Sequence, residues 1–355
     1  MNFMCRRQVQ VARVSTLGGT LTMKMNPLAW SSRFASAAML GCLLGTFSPN
    51  SNALAAAKSP KRVLVVSTTT GFRHSSIETA ERVIAELGQK SGAFTVDYVH
   101  QPEGKPSGPQ MPKPLKANAT EAEKQAFKVA EEKFNQDQAA FEVVEAKWMG
   151  TLKQALMKLN PESLKNYDAV IFANTTGDLP LPDRQAFLDW IKSGKGFVGM
   201  HSCADTYPGF PGFIEMMGAH FKTHGAQVEV EAINQDPKSP ECRHLPATWK
   251  VYDEIYQMIN FDRSKVHGLL TLDKHPNNKT PGDYPIAWCK NYGKGRVFYT
   301  SLGHREDVWD PDWKDGKGQR KNSPEIAVAY QQHILGGIKW SLGLVRGSAK
   351  PQVAK

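Results

Sequence analysis

Short apolar, β-branched runs recur along this chain, and several are followed by a polar loop and then by residues at helical spacing. Residues 61–66 form one such run, which reads as a first, central strand. Residues 75–87 follow with Ile77, Ala80, Val83, Ile84 and Leu87 on one helical face, Ser76 as the expected cap and Glu78 in the first turn. Residues 94–99 alternate like a second strand, completing a βαβ opening. The pattern resumes with a strand over 167–173 and a helix over 182–193, with Gly194 just beyond its end. Strands are expected at 196–200 and 227–232, and a hairpin turns at 291–295 between 286–289 and 297–299. A closing helix covers 326–342. Such a chain builds an α/β domain on a mostly parallel sheet with helices on both faces.

Between the two halves lies a segment of different character. Pro102, Pro106, Pro109, Pro112 and Pro114 force an extended loop. Residues 120–159 are rich in Ala, Lys, Glu and Gln, and Phe127, Phe134, Phe141 and Trp148 recur every seven residues. The 101–159 segment therefore reads as an insertion containing a long helix or hairpin. Its seam is expected to pack on the main domain or on a second copy of the chain, as a homo-oligomer.

The beginning of the chain reads as an export signal. Arg33 precedes an apolar run, residues 34–44, too short to span a bilayer, and Ala53-Leu54-Ala55 offers a cleavage site. The expected organisation is a signal peptide over 1–55, a domain over 61–344 and a tail over 345–355. The mature protein would be periplasmic or extracellular; lipidation at Cys42 is the lesser alternative. Five of the 44 basic residues and none of the 34 acidic ones fall in the first 55 positions, so the remainder carries only +5. That balance makes no electrostatic case for nucleic acid, and no stable membrane span is expected. Cleavage would leave Cys203, Cys242 and Cys289, an odd number that cannot all pair internally.

The residues that can do chemistry sit at the exits of the expected strands. His74 follows the first strand, Asp178 a later one, His201 comes directly after 196–200, and His304 closely follows 297–300. An open parallel sheet discharges its strand ends into one crevice, so these groups are expected to meet. His220 and His224 have the i,i+4 spacing that would share a metal on a helix, although Gly218 and Gly225 argue that a helix ends there. Glu254 can add a carboxylate. Imidazoles with a carboxylate suit zinc or a similar divalent transition metal, held by His74, His201, His224 and His304. Without a metal, His201, His304, Glu254 and Asp178 can serve as general acids and bases. Gly293-Lys294-Gly295 sits in a hairpin and opens no helix, so no nucleotide cofactor is expected.

These same stretches carry a resemblance. Gly71-Phe72-Arg73-His74, Gly199-Met200-His201-Ser202, Phe221-Lys222-Thr223-His224, Asp253-Glu254-Ile255-Tyr256 and Leu302-Gly303-His304, in this order, resemble the ThuA-like, or trehalose-utilisation, family. The resemblance implies a flavodoxin-like sheet of the class I glutamine amidotransferase type and a role in carbohydrate metabolism. The implied substrate is a sugar or an oxidised glycoside, the latter supplied by an oxidoreductase. Two departures stand out: the 101–159 insertion, and Gly225 where the family usually has Pro. The amidotransferase nucleophile does not carry over, because His201 and Ser202 stand where its Cys elbow would be.

The resulting expectation is an exported enzyme of hydrolase, lyase or isomerase type acting beside a carbonyl. A carbohydrate-binding module is the alternative, with Tyr207, Phe210, Trp309 and Trp313 stacking on sugar rings. A third reading is an amidohydrolase using Cys203.

Overall fold

The computed structural model describes residues 59–352; the signal reading at 1–55 and Cys42 lie outside them. Eleven strands and seven α-helices follow one another. The strands are β1 (Lys61–Val66), β2 (Phe94–Val99), β3 (Ala169–Ala173), β4 (Gly196–Met200), β5 (His220–His224), β6 (Val228–Asn234), β7 (Thr248–Asp253), β8 (Tyr256–Ile259), β9 (His267–Lys274), β10 (Pro281–Tyr292) and β11 (Gly295–Thr300). The helices are α1 (Ile77–Ser91), α2 (Glu121–Ala155), α3 (Pro161–Leu164), α4 (Arg184–Lys192), α5 (Pro211–Met217), α6 (Glu306–Trp309) and α7 (Pro324–Ser341). Among the described residues no helix is long and apolar enough to cross a membrane.

Nine strands form one sheet in the order β2-β1-β3-β4-β11-β10-β9-β6-β7. The first five are mutually parallel, and the rest extend the sheet antiparallel. The expected α/β architecture is therefore present. Its central strands are covered on both sides, which is why they read as unbroken apolar runs. Val63, Val65, Ile171, Val198 and Phe298 face a core shared with Ile84 of α1 and with Ile334 and Ile338 of α7. Leu64, Val66, Val170, Phe172, Phe197 and Val297 face the opposite core, with Leu188 of α4, Phe213 of α5 and Leu152 of α2. The alternation follows from the two-residue repeat of a strand.

The inserted helix forms as expected. Thr120 opens α2 with a capping box to Glu123. Only Trp148 and Leu152 of α2 are buried. Two seam residues, Trp148 and Phe141, also meet the chain's own proline-rich segment. Trp148 Nε1–H donates to the Pro102 carbonyl at 3.2 Å, and Gly108 lies against the Phe141 ring. Residues 345–352, read as a tail, run against β9 and β10: the Lys350 carbonyl accepts from His267 at 2.8 Å and the Ser348 carbonyl from Cys289 at 3.4 Å.

A candidate metal centre

Strand register brings the first groups together. Ala173 of β3 pairs with Met200 of β4, and Met200 pairs with Thr300 of β11. The next residues, Asn174, His201 and Ser301, therefore leave the sheet level with one another. His201 turns sharply there, with φ of 44°, a region costly for a residue bearing a Cβ. The turn aims its ring back across the strand ends. Its Nδ1–H donates to the Ser301 carbonyl at 2.8 Å, which fixes the tautomer and leaves Nε2 as a lone-pair donor.

Three further groups converge on that atom. His201 Nε2 lies 3.2 Å from His74 Nε2, 3.3 Å from His304 Nδ1 and 3.7 Å from Glu254 Oε2. Glu254 Oε2 is also 3.3 Å from His304 Nδ1. One ligand atom from each of the four residues lies within 4.8 Å of all the others. The fit can be tested against coordination geometry. Zinc bonds of about 2.0–2.1 Å arranged tetrahedrally require ligand atoms roughly 3.3 Å apart, close to the spacings seen.

The protonation states of His74 and His201 agree with ligation. Burial, then repulsion from His304, lowers the His74 imidazolium from 6.5 to about 4. Burial also drives His201 well below the usual value, helped by His74 and His304. Both are neutral at physiological pH, as ligands must be. Burial likewise opposes charge on His304, but the adjacent Glu254 carboxylate outweighs it and raises that pKa.

A further layer of residues holds these rings in place. His74 Nδ1 is 3.2 Å from Ser202 Oγ. The Gly303 peptide is gripped on both sides, and this sets His304. Its N–H donates to Asp253 Oδ2 at 2.7 Å, while its carbonyl accepts from Ser76 Oγ at 3.0 Å, Asn174 Nδ2 at 2.9 Å and Trp309 Nε1 at 2.8 Å. Gly303 has φ of 118°, and a Cβ there would sit 2.8 Å from the Tyr330 hydroxyl. Ser76 thus occupies the N-cap position of α1 without capping it. Asp253 is fully buried, and burial raises its pKa to about 6 against the pull of the Gly303 N–H. Asp253→Asn is expected to weaken metal affinity by about 10- to 100-fold, the usual cost of losing a group that orients a ligand. Equilibrium competition with a chromophoric chelator measures it, and unchanged affinity would deny Asp253 that part.

Other candidates fall elsewhere. His224 is outside the group of four: its side chain is 44 % exposed, and its Nδ1 lies 3.0 Å from Glu254 Oε1 and 2.9 Å from the Gly225 carbonyl. It belongs to a strand, β5, not to a helix end. In a strand, residues i and i+4 stand roughly 13 Å apart, so His220 and His224 cannot share an ion. His220 Nδ1–H is spent on the Ala204 carbonyl at 2.7 Å. Asp178 is exposed and paired with Arg184 at 2.5 Å, away from the four. Cys203 is fully buried, and burial pushes its thiol far up, which removes the thiolate a nucleophile needs. It packs on Gly199, where a Cβ would meet its sulfur at 2.9 Å. Tyr207 and Trp309 are fully buried, so neither can stack on a sugar; Phe210 and Trp313 are partly buried. A cavity of about 540 Å³ lined by Arg263, Thr271 and Asp283 shares no residue with the cluster. Its Asp283 carboxylate is already taken by Arg263 and Thr271.

The sequence reading missed Ser202, Asp253, Ser76 and Asn174. Ser202 was signalled by its place beside His201. Ser76 was misassigned because a serine before a helix ordinarily caps it.

The family model described as trehalose utilisation, ThuA, matches residues 116–315, a span holding His201, Glu254 and His304 but not His74. In structure the chain is similar to a ThuA-like protein from Parabacteroides merdae, at 18 % identity over 82 % of this chain and 93 % of that chain, with a TM-score of 0.52. A second ThuA-like protein, from Bacteroides uniformis, aligns at 19 % identity over 80 % and 93 %, with a TM-score of 0.49. An exo-β-1,4-mannosidase from an Opitutaceae bacterium reaches a TM-score of only 0.38 at 8 % identity, over 80 % of this chain and 36 % of that one. At such identities the likeness to the first bears on fold alone, and the other two carry no argument. No curated protein matches the chain in sequence.

Proposed function

The chain belongs to the trehalose-utilisation (ThuA) family, and from that premise we propose that it is a metal-dependent enzyme acting on a sugar or keto-glycoside at the His74–His201–His304–Glu254 cluster. The observation that carries the reading is the spacing of the ligand atoms, 3.2–3.7 Å around His201 Nε2. A divalent transition metal held there would supply Lewis acidity to a substrate oxygen.

The chain's own groups would do the rest. His201 and His74 are sealed from solvent and act as fixed donors, whereas the His304 side chain, 20 % exposed, is open to a substrate. Glu254 Oε1 points away from the other three ligands toward the exposed His224, where it can take or return a proton. This arrangement suits hydrolysis, elimination or isomerisation beside a carbonyl. Export on the leader, to the periplasm or outside the cell, is part of the same proposal.

Elemental analysis with product analysis tests it. The purified chain should carry one equivalent of a transition metal. Dipicolinate should remove the metal and abolish conversion of trehalose or its keto derivative, and added zinc or a similar ion should restore it. Full turnover in the metal-free chain would refute the metal's part. Sugar binding without any product would turn the reading toward a binding module.

A further inference from the structure

We infer that Phe72 is the stacking platform for the substrate's pyranose ring, and that the 101–159 insertion braces it through Lys105; the inference rests on the sugar-processing reading above. An isolated exposed apolar side chain is ordinary on a protein surface. Phe72 differs in where it stands and in how firmly it is held.

Its side chain is 70 % exposed, two residues from His74, which is almost completely buried. The Phe72 ring meets the His74 ring edge-on, with centroids 4.9 Å apart at 81°. His74 in turn meets His201 and His304 the same way, at 4.7 and 5.1 Å. Phe72 is therefore the outermost ring of the cluster, an apolar face set against a polar, ligand-bearing centre. A pyranose has the complementary shape: its C–H face packs on an aromatic ring while its oxygens reach inward. Neither Tyr207 nor Trp309, buried as they are, can offer such a face.

The loop bearing Phe72 is fixed by bonds to three residues outside it, Thr176, Ser67 and Lys105. Thr176 Oγ1 donates to the Phe72 carbonyl at 2.7 Å, and Thr70 N–H donates to the Thr176 carbonyl at 3.1 Å. Arg73 Nη1 donates to the Ser67 carbonyl at 2.9 Å. From the insertion, Lys105 Nζ donates to the Thr70 carbonyl at 3.0 Å and the Gly71 carbonyl at 2.5 Å. Lys105 Nζ also lies 5.9 Å from the centroid of Trp148, the residue that ties α2 to the proline-rich segment. Gly177 passes so close that a Cβ there would sit 2.7 Å from Gly71 N. A loop held in one conformation loses little entropy on binding, which is what recognition by stacking needs. Phe72 is thus a binding residue and Lys105 a positioning residue.

Isothermal titration and steady-state kinetics on the metal-replete full chain, with trehalose and its keto derivative as probes, test both. Phe72→Ala should weaken binding roughly five- to tenfold, raising KM more than it lowers kcat, with one equivalent of metal retained. Phe72→Trp should recover affinity. Lys105→Ala should raise KM in the same way, and Lys105→Arg should reverse it; a lowered melting temperature with unmoved KM would overturn the bracing role. Binding by the wild-type chain with equal affinity in Phe72→Ala overturns the platform alone. If the wild type binds neither sugar, the function reading falls, and the platform with it.

Discussion

Replacing His201 with alanine should empty the cluster of its metal and lower turnover by more than about 10²-fold, since it removes the donor on which the other three ligands converge. The variant also removes the ring that satisfies the Ser301 carbonyl, and it leaves a non-glycine residue at φ of 44°. A stability loss on the order of 1–3 kcal/mol is therefore expected alongside the catalytic one. His201→Asn separates the two effects. Asparagine tolerates the left-handed region better than alanine, so it should recover part of the stability while remaining inactive. Metal content, turnover and urea unfolding of both variants are the measurements. A fully metallated, fully active His201→Asn enzyme would remove the proposed centre.

The second large effect lies away from the site. Glu241 is 1 % exposed, and its Oε1 has no hydrogen-bond partner among the described residues. Burial raises its pKa from 4.5 to about 7 against the pull of its own backbone N–H, of Ser239 and of His267; Asp236 adds to the rise. Below pH 4.5 the carboxyl is protonated in both folded and unfolded chains, and its favourable neutral state is fully retained. As pH rises toward 7 the unfolded chain ionises first, so the folded state loses stability. The loss levels off above the folded value at about 3 kcal/mol. Glu241→Gln cannot ionise. It should match the wild type near pH 4 and exceed it by roughly that amount near pH 8. Urea midpoints at the two pH values decide the matter, and an equal difference at both would show that ionisation of Glu241 plays no part.

Much of the framework could be read from local pattern. The two-residue repeat marked β2, the apolar run marked β1, and helical spacing marked α1 and α7, because these signals depend only on neighbours in the chain. The meeting of His74, His201 and His304 was also legible, since parallel strands in register end at one level. Asp178 obeys the same rule yet turns outward to Arg184, because a strand exit fixes where a loop begins but not where its side chains point. The i,i+4 spacing of His220 and His224, which would unite them on a helix, separates them on strand β5, while His224 still meets Glu254 at 3.0 Å.

Sequence alone therefore determined the five parallel strands, the helices α1, α4 and α7 and the three imidazoles at the sheet's rim, all consequences of local periodicity and chain direction, but it did not mark β5, β7, β8 or β9. Tertiary structure decided the rest. Glu254 leaves β7, at the far antiparallel edge of the sheet, and reaches the imidazoles where Asp253 grips the Gly303 peptide. Ser76 serves Gly303 instead of its own helix, and the insertion ties Trp148 to its own Pro102 while sending Lys105 to the Phe72 loop. Each of these contacts joins residues distant in the chain or competing for one hydrogen bond, and only packing settles which partner wins.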